Sequence, residues 1–318
     1  MLEHIIMKIV NRIEDIQEPF KRAVITIGNF DGVHIGHQAL LHTVTEKAVA
    51  NDGTAVVMTF EPHPMKLLAP KDRTPLITLY EQKSELIART GIDALIGVPF
   101  TKAFAEIRAR EFVTDLLIRR IGMQSIVVGK DYAFGRNREG NIDLLKSWSR
   151  ELGFEVFTVD WIQSAGFPER ISSTRIRELV MNGQMEAARK LLGRYYQIRG
   201  TVAAGRRRGA SLLGFPTANI QLQDELCPQQ GIYAVTVQTQ GHTHQGVANI
   251  GYSPTFDDHV FTIEVHIIDF YQNIYGEPIR VNFIRRLRAE VKFNSPDALS
   301  AQIEKDIAQA RNVLSRLF

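Results

Sequence analysis

Residues 24–41 read VITIGNFDGVHIGHQALL, and this stretch sets the architecture of the first half of the chain. An apolar, β-branched run ends at Gly28, the turn 29–32 (NFDG) follows, and the tetrapeptide 34–37 (HIGH) opens an amphipathic helical pattern. A helix that starts directly after a strand points unpaired backbone N–H groups at an anion, and glycines allow the backbone to approach that anion closely. The stretch therefore predicts a strand, a turn and a helix that hold a phosphate group.

His34 and His37 lie three residues apart, so on a helical turn they share one face. Two imidazoles beside backbone N–H groups suit a nucleotide phosphate that gains negative charge during a reaction. The alternative is a tight turn with two surface histidines. Asp31 has two interpretations of equal weight: its carboxylate helps to place the turn or Mg²⁺, or it caps the turn.

The length of 318 residues suits two ordinary domains, and the hydrophobic share of 44% is typical of a soluble globular protein. A net charge of +3 suits phosphate-bearing ligands but is too weak to indicate nucleic acid. The single cysteine, Cys227, excludes an intramolecular disulfide and favours a reducing compartment. Because no membrane-spanning run or secretory signal pattern is found, we expect a cytoplasmic protein.

Apolar runs alternate with helical patterns in the first half, which predicts a parallel sheet with helices on both faces. Ligands bind such sheets beyond the carboxyl ends of the strands, where the HIGH motif falls. The expected strands are 23–28, 54–60, 92–98, 124–129 and 154–159. The expected helices are 36–50, 79–90, 109–121 and 141–151.

The sequence pattern changes near residue 194, from alternating apolar runs and helical patterns to short apolar runs with few helical patterns. The helical stretch at 173–193 lies before this change, and we expect it to bridge two domains. Short apolar runs separated by turn residues predict a small antiparallel barrel or sandwich, and the periodic stretch 296–317 predicts a closing helix. The expected strands are 196–203, 231–238, 245–250, 260–268 and 279–284. We place the domains at 1–184 and 185–318.

A second motif, RISSTRIR, occupies residues 170–177. Its hydroxyl side chains are good helix caps, and with the neighbouring arginines they offer donors to phosphate oxygens. Alone, this segment is typical of a capped surface helix. Together with HIGH, it indicates a second phosphate-binding segment that follows the last strand of the sheet.

Several further motifs occur in a fixed order. They are FEPHP (60–64), VGKDYAFGRNREG (128–140), LGFPTAN (213–219), GIYAV (231–235), GVANIGYSPTF (246–256), IEVHIIDF (263–270) and LRAEVKF (287–293). With these motifs the chain resembles, nearly end to end, the bacterial bifunctional riboflavin kinase/FMN adenylyltransferase (FAD synthetase) family. The resemblance implies a Rossmann-like nucleotidylyltransferase domain followed by a β-barrel riboflavin kinase domain with its closing helix.

The resemblance also implies two reactions. The C-terminal domain phosphorylates riboflavin with ATP to give FMN, and the N-terminal domain transfers AMP from ATP to FMN, giving FAD and pyrophosphate. Small-molecule substrates (riboflavin, FMN, ATP) and a divalent cation, Mg²⁺, are therefore expected, with no nucleic acid and no membrane as partner. The sequence leaves the oligomeric state open.

The site residues of the N-terminal domain follow from the resemblance. His34 and His37 are the catalytic pair. The expected contacts to ATP and its phosphates are Gly28, Asn29, Phe30, Asp31, Gly36, Arg170, Ser173, Thr174 and Arg177. Phe60, Asp131 and Phe134 are the expected flavin contacts, with core packing as the alternative for the two aromatic rings.

The resemblance places the kinase site on Gly214, Thr217, Asn219 and Glu264. Thr217 and Asn219 are expected to hold Mg²⁺ and ATP phosphates, with Glu264 as general base; a solvent-facing strand carboxylate is its alternative. The loop before this motif is one residue longer than expected and has Ala210 where an arginine is common. Arg206–Arg208 either compensate as phosphate donors or form a solvated basic turn.

Two other classes of protein compete with this interpretation. HIGH-type nucleotidylyltransferases that act on pantetheine phosphate or a nicotinamide nucleotide lack the LGFPTAN module. A flavin- or nucleic-acid-binding regulator with degenerate sites is suggested by the arginine clusters at 206–208 and 285–288. Steeply salt-dependent nucleic-acid binding without turnover would favour the regulator.

Overall fold

A computed structural model of the chain describes residues 7–68, 74–160, 170–203, 215–222, 224–252, 261–315 and 317, without the side chains of 252, 261 and 262. The fold divides into two compact units, Met1–Ser173 and Thr174–Phe318. The domain boundary at 184/185 stays a prediction. No helix in the described ranges is long and apolar enough to cross a membrane.

The first unit is built on a six-stranded sheet with the order β1-β4-β3-β2-β5-β8, in which every neighbouring pair is parallel. Its strands are β1 (Lys8–Val10), β2 (Ala23–Ile27), β3 (Ala55–Phe60), β4 (Ala94–Val98), β5 (Met123–Gly129) and β8 (Glu155–Val159). Between β5 and β8, β6 (Ala133–Phe134) and β7 (Gly140–Asn141) pair as a small antiparallel ribbon. The five predicted strands are confirmed, and β1 is an additional edge strand.

Helices cover both faces of this sheet, as predicted. Alternate strand residues belong to two separate apolar clusters: Val24, Val57 and Leu95 pack with Leu41 of α1, whereas Ile25 belongs to the cluster that contains Leu117. The helices of the unit are α1 (Ile35–Ala50), α2 (Pro64–Leu68), α3 (Tyr80–Ala88), α4 (Lys102–Ala105), α5 (Ala109–Glu111), a π-helix (Phe112–Ile121) that continues α5, and α6 (Ile142–Leu152). Two 3₁₀ turns span Ile13–Asp15 and Arg136–Arg138.

The strand order creates a cleft at the carboxyl edge of the sheet. β2 lies between β3 on one side and β5 on the other. The chain therefore continues from β2 to β3 on one side and later adds β5 on the opposite side of β2. This is the topological switch point at which open α/β sheets bind ligands. The motif that starts at Gly28 begins there.

The second unit contains a closed antiparallel barrel with the order β10-β13-β12-β11-β14-β9. Its strands are β9 (Tyr196–Ala203), β10 (Ala218–Ile220), β11 (Gly231–Thr239), β12 (His242–Tyr252), β13 (Phe261–Ile267) and β14 (Pro278–Arg288). The stretch predicted as helical at 173–193 forms two helices, and the closing helix is confirmed. These helices are α7 (Ser173–Met181), α8 (Met185–Leu192) and α9 (Pro296–Leu314).

Helix α9 covers part of the outer wall of the barrel. Ala310 and Leu314 are fully buried and pack in one cluster with Ile232, Ala234 and Ile284 of the barrel wall. Ser295 caps the helix by accepting the backbone N–H of Ala298.

Candidate functional site

His34 and His37 lie together at the start of α1. His34 is the N-cap residue: its Nδ1 accepts the backbone N–H of His37 at 3.2 Å, which assigns the ring proton of a neutral His34 to Nε2. The two rings stack, with their centroids 3.6 Å apart and their planes 17° apart. His34 is 5% exposed, so the ring is held by its surroundings as well as by this bond. The predicted juxtaposition of the two imidazoles is confirmed.

Two glycines of the motif make room for side chains of the motif itself. A Cβ atom on Gly36 would lie 3.2 Å from His34 Nδ1, and one on Gly28 would lie 3.2 Å from the ring of Phe30. Phe30 is buried and meets the ring of His37 edge to face at a centroid distance of 5.3 Å. These glycines therefore allow the histidine pair to pack, in addition to the ligand approach expected from the sequence.

The Asp31 carboxylate holds the turn. It is 3% exposed, and its Oδ1 accepts the backbone N–H groups of Ile77 and Thr78 at 3.0 and 3.1 Å. The Thr78 hydroxyl accepts the N–H of Gly32 at 3.0 Å, where φ is +85°. Of the two interpretations of Asp31, these contacts favour the one in which its carboxylate caps the turn.

The second motif meets the first at this edge of the sheet. The Ser173 hydroxyl donates to the backbone carbonyl of Asp31 at 2.8 Å. Arg170 pairs with Asp131, which follows β5, at 2.7 Å, and both side chains are about half exposed, at 48% and 55%. Thr174 and Arg177 belong to the second unit, and their roles stay predictions.

The predicted flavin residues differ in exposure. Phe60 ends β3 and is half-buried, with the rings of Phe100 and Phe104 at centroid distances of 5.4 and 5.7 Å. Phe134 is 7% exposed and packs against Phe112 and Trp148 in the core. Core packing, the alternative stated for both rings, therefore accounts for Phe134.

A cavity of about 550 Å³ lies beside Asp131. Its lining includes Tyr132 after β5, Ile142 and Lys146 of α6, and Thr158 near the end of β8. The volume is in the range of small-molecule sites. It adjoins the Arg170–Asp131 pair at the carboxyl edge of the sheet.

Strand register brings together two of the residues predicted for the kinase site in the second unit. Glu264 of β13 lies opposite Asn219 of β10 on one side and opposite Asn249 of β12 on the other. Its neighbours Ile263 and Val265 are fully buried, so the row of Asn219, Glu264 and Asn249 lies on the opposite, outer face of the wall. The predicted orientation of Glu264 away from its apolar neighbours is confirmed.

Burial raises the pKa of the Glu264 carboxyl, and the negative charge of Glu290 adds to this shift. Glu290 lies against Gly251 of β12, two residues beyond Asn249, so both carboxylates belong to the same face. The Asn249 Oδ1 atom is buried and accepts no hydrogen bond from any described residue. The site thus offers several carboxylate and amide oxygens, side by side, that could bind a metal ion.

His266 anchors the segment that carries the LGFPTAN motif, although no prediction included it. Its Nδ1 lies 2.9 Å from the carbonyl oxygen of Pro216 and must carry the proton, because a carbonyl can only accept. Its ring meets Phe215 edge to face at 5.6 Å. Its position two residues after Glu264 on a strand is a signal that it shares the Glu264 face.

The other predicted residues of this segment differ in whether the structure describes them. Thr217 follows Pro216 in the chain and is half-buried. Gly214, Ala210 and Arg206–Arg208 lie outside the described residues.

The arginine cluster at 285–288 makes contacts within its own unit. Arg285 pairs with Glu186, and Arg286 donates to the carbonyl of Gln230 at 2.7 Å. Arg288 binds both carboxylate oxygens of Asp306, at 2.8 and 2.6 Å. These contacts supply a structural reason for the arginines that suggested a nucleic-acid-binding regulator.

Comparisons with known proteins agree on one pair of activities. The FAD synthetase family model matches residues 16–175, and the riboflavin kinase model matches residues 192–314. The chain is 39% identical over 297 residues to a bifunctional riboflavin kinase/FMN adenylyltransferase of Listeria monocytogenes, covering 92% of this chain and 93% of that protein. It is 37% identical over 307 residues to the protein of that name in Escherichia coli (strain K12), covering 96% and 97%.

A solved structure has the same two-part fold. It is described as a macrolide-efflux protein from Streptococcus pneumoniae and superposes with a TM-score of 0.87 at 34% sequence identity. The match covers 96% of this chain and 99% of that chain. The sheet and barrel described above therefore occur together in another protein.

Proposed function

This chain belongs to the bifunctional riboflavin kinase/FMN adenylyltransferase family, and we propose how its residues perform the two reactions. An N-terminal FAD synthetase domain adenylylates FMN, and a C-terminal flavokinase domain phosphorylates riboflavin. For the division between them we propose residues 1–184 and 185–318. The reactions use flavin and ATP as substrates.

For adenylyl transfer we propose that His34 and His37 face the ATP phosphates, and that Ser173, whose hydroxyl donates to the Asp31 carbonyl, holds the start of the second motif against this turn. A phosphate oxygen of FMN attacks the α-phosphorus of ATP, and the bond to pyrophosphate breaks. FMN already carries its nucleophile, so positioning and charge stabilisation account for catalysis without a covalent enzyme intermediate. The proton on His34 Nε2 supports this role, because a neutral imidazole can donate it to a phosphate oxygen that gains charge.

On the flavin side of this site we propose Phe60 and Asp131 as contacts. Phe60 supplies a half-buried aromatic edge at the end of β3. Asp131 also orients Arg170 toward the phosphates through their ion pair. Phe134 supports the segment from the core, where its ring is packed.

For the kinase we propose that Glu264 accepts the proton of the terminal hydroxyl of riboflavin while that oxygen attacks the γ-phosphorus of ATP. A carboxyl with a raised pKa is better matched to this proton transfer than an ordinary glutamate. Thr217 and Asn219 are proposed to hold Mg²⁺. The atoms that this face offers to a metal ion are oxygens, including Asn249 Oδ1, which has no hydrogen-bond partner among the described residues, and oxygen is the ligand that Mg²⁺ prefers. When bound, the ion would neutralise charge on the ATP phosphates.

A product assay tests both assignments. Purified protein is supplied with riboflavin and ATP, or with FMN and ATP, each with and without Mg²⁺. We expect FMN, followed by FAD, from the first mixture and FAD from the second, and little product of either kind without the ion. FMN formed from riboflavin at an undiminished rate after complete chelation would contradict the assignment of Mg²⁺ to Thr217 and Asn219.

We also propose a cytoplasmic location and no nucleic-acid partner. The lone cysteine supports a reducing compartment, and the contacts of Arg285, Arg286 and Arg288 support the second statement. Added RNA or DNA at low salt should leave both rates unchanged. Nucleic-acid binding that inhibits turnover and weakens steeply as salt concentration rises would favour the regulator instead.

A further inference from the structure

Lys83 of α3 is a buried cation near the carboxyl edge of the sheet, and it belongs to none of the sequence motifs. Its side chain is 4% exposed. Burial lowers the pKa of Lys83, and the charges of Glu61 and Asp31 oppose that shift. Keeping an ammonium group at such a position costs free energy that its contacts must offset.

The Lys83 ammonium group donates to oxygens of two segments. Nζ lies 3.3 Å from the carbonyl oxygen of Asn29, 3.1 Å from Thr59 Oγ1 and 3.5 Å from the carbonyl oxygen of Phe60. Thr59 Oγ1 in turn donates to the Asn29 carbonyl at 3.2 Å. Lys83 and Thr59 thus hold the same backbone carbonyl.

These two segments carry the two substrates in the proposed function. Asn29 opens the turn that leads to the histidine pair, whereas Phe60 ends β3 on the flavin side. The ring of Tyr80, whose centroid is 5.5 Å from Nζ, lies over Lys83, and the Tyr80 hydroxyl fills the space that Gly97 of β4 leaves. The ammonium group is therefore enclosed by the turn at Asn29, the end of β3 and the ring of Tyr80.

We propose that Lys83 is a positioning residue for adenylyl transfer, which fixes the nucleotide turn at Asn29 relative to the flavin segment at Phe60. The inference rests on the proposed function of this edge. Transfer requires the FMN phosphate to lie in line with the α-phosphorus of ATP, and a displacement of about 1 Å costs on the order of 100-fold in rate. Lys83 acts through the two segments that it holds.

The test is Lys83→Met, which removes the ammonium group and keeps an apolar stem. We expect kcat for FAD formation to fall about 100-fold. The separate dissociation constants for ATP and FMN should change by less than about threefold, because each segment keeps its own contacts. Ser84→Ala is the matched control: Ser84 is also buried on α3, but its hydroxyl donates to the Tyr80 backbone carbonyl of its own helix, and kcat should be unchanged.

Thr59→Val keeps the test decisive if Lys83→Met does not fold. It removes one of the two donors to the Asn29 carbonyl, and we expect about a tenfold loss in kcat with both affinities retained. Folded variants with kcat within about threefold of wild type would overturn the inference, as would affinities that fall in proportion to kcat. Wild-type protein is assayed in parallel to distinguish failure of the Lys83 proposal from failure of the proposed function. A wild type that makes no FAD contradicts the proposed function itself.

Discussion

At the scale of single residues, the ring of His34 both caps helix α1 and presents a proton whose position is fixed. Its Nδ1 accepts a backbone N–H that would otherwise lack a partner at the start of α1. That bond also fixes the tautomer, so the proton lies on Nε2, and stacking on His37 fixes the plane of the ring. A donor oriented in advance stabilises developing phosphate charge without further reorganisation.

His37→Ala should abolish conversion of FMN to FAD while riboflavin phosphorylation survives. The substitution removes one of the two imidazoles at the proposed phosphate site and leaves the second unit untouched. A loss of at least about 100-fold is expected, the size seen when one preorganised donor is removed. The measurement is the initial rate of FAD formation, with the rate of FMN formation from riboflavin measured on the same preparation.

His42→Ala is the control for this variant. His42 lies on the same helix but is exposed, so both rates should stay at the wild-type level. A folded His37→Ala protein that still makes FAD at close to the wild-type rate would remove the histidine pair from the mechanism.

Glu264→Gln should have the opposite effect on the two reactions. Without a base, phosphorylation of riboflavin is expected to fall by about 100-fold or more, whereas FAD formation from supplied FMN continues. Glu277→Gln, which changes an exposed carboxylate in the same unit, is the control. Kinase activity retained by Glu264→Gln would assign the proton transfer to another group.

The same variant should be more stable than wild type at neutral pH. The folded-state pKa of Glu264 is raised above its ordinary value of 4.5, so its favourable contribution is present below that value and is lost as pH rises through the raised pKa. Glutamine carries no such charge, and a gain of about 1 kcal/mol in unfolding free energy is expected at neutral pH. Thermal melts at acidic and neutral pH check this: the gain should shrink on acidification, and a gain that grows would contradict the sign.

Local spacing decided which site residues the sequence could predict. His34 and His37 are one helical turn apart, so their contact follows from the period of the helix. Asn219 and Glu264 were predicted from the family resemblance, whereas Asn249 in the same row was missed, because the row depends on register between separate strands. Lys83 was missed for the same reason, since its partners belong to other elements.

At the scale of elements, burial explains why most strands could be predicted. Central strands of a parallel sheet are covered on both faces and therefore read as continuous apolar runs, as in β3 and β4. β1 and β10 were missed because three residues are too few to show a period. The stretch predicted as one helix at 109–121 continues beyond Glu111 as a π-helix, a change in winding that hydrophobic spacing does not reveal.

The attachment of α9 to the barrel gives a stability prediction. Arg288 of β14 and Asp306 of α9 form a bidentate pair in which the Asp306 side chain is 3% exposed. Asp306→Ala leaves the arginine charge uncompensated in a mostly buried place and should cost about 3 kcal/mol in the unfolding free energy.

Arg311→Ala is the control for this prediction. It removes an Arg–Asp pair from the same helix, but that pair is exposed, at 48% and 68%, so the loss should be below about 1 kcal/mol. Chemical denaturation compares the two variants. Equal losses would show that burial does not govern the strength of the Arg288–Asp306 pair.

At the scale of the whole molecule, the account places two reactions on two units of one chain. The histidine pair and its turn lie within Met1–Ser173, and the Glu264 row lies within Thr174–Phe318. Each unit has its own core, so a substitution in one site should leave the other reaction intact. The order of the family matches, 16–175 and 192–314, agrees with this division of labour.

The most direct test of two independent sites is complementation between the two inactive variants. His37→Ala and Glu264→Gln are each supplied with riboflavin, ATP and Mg²⁺, first alone and then mixed, and FMN and FAD are measured over time. The account predicts FMN alone from His37→Ala, neither product from Glu264→Gln, and FAD from the mixture. A folded variant that loses both reactions, or a mixture that makes no FAD, would contradict it.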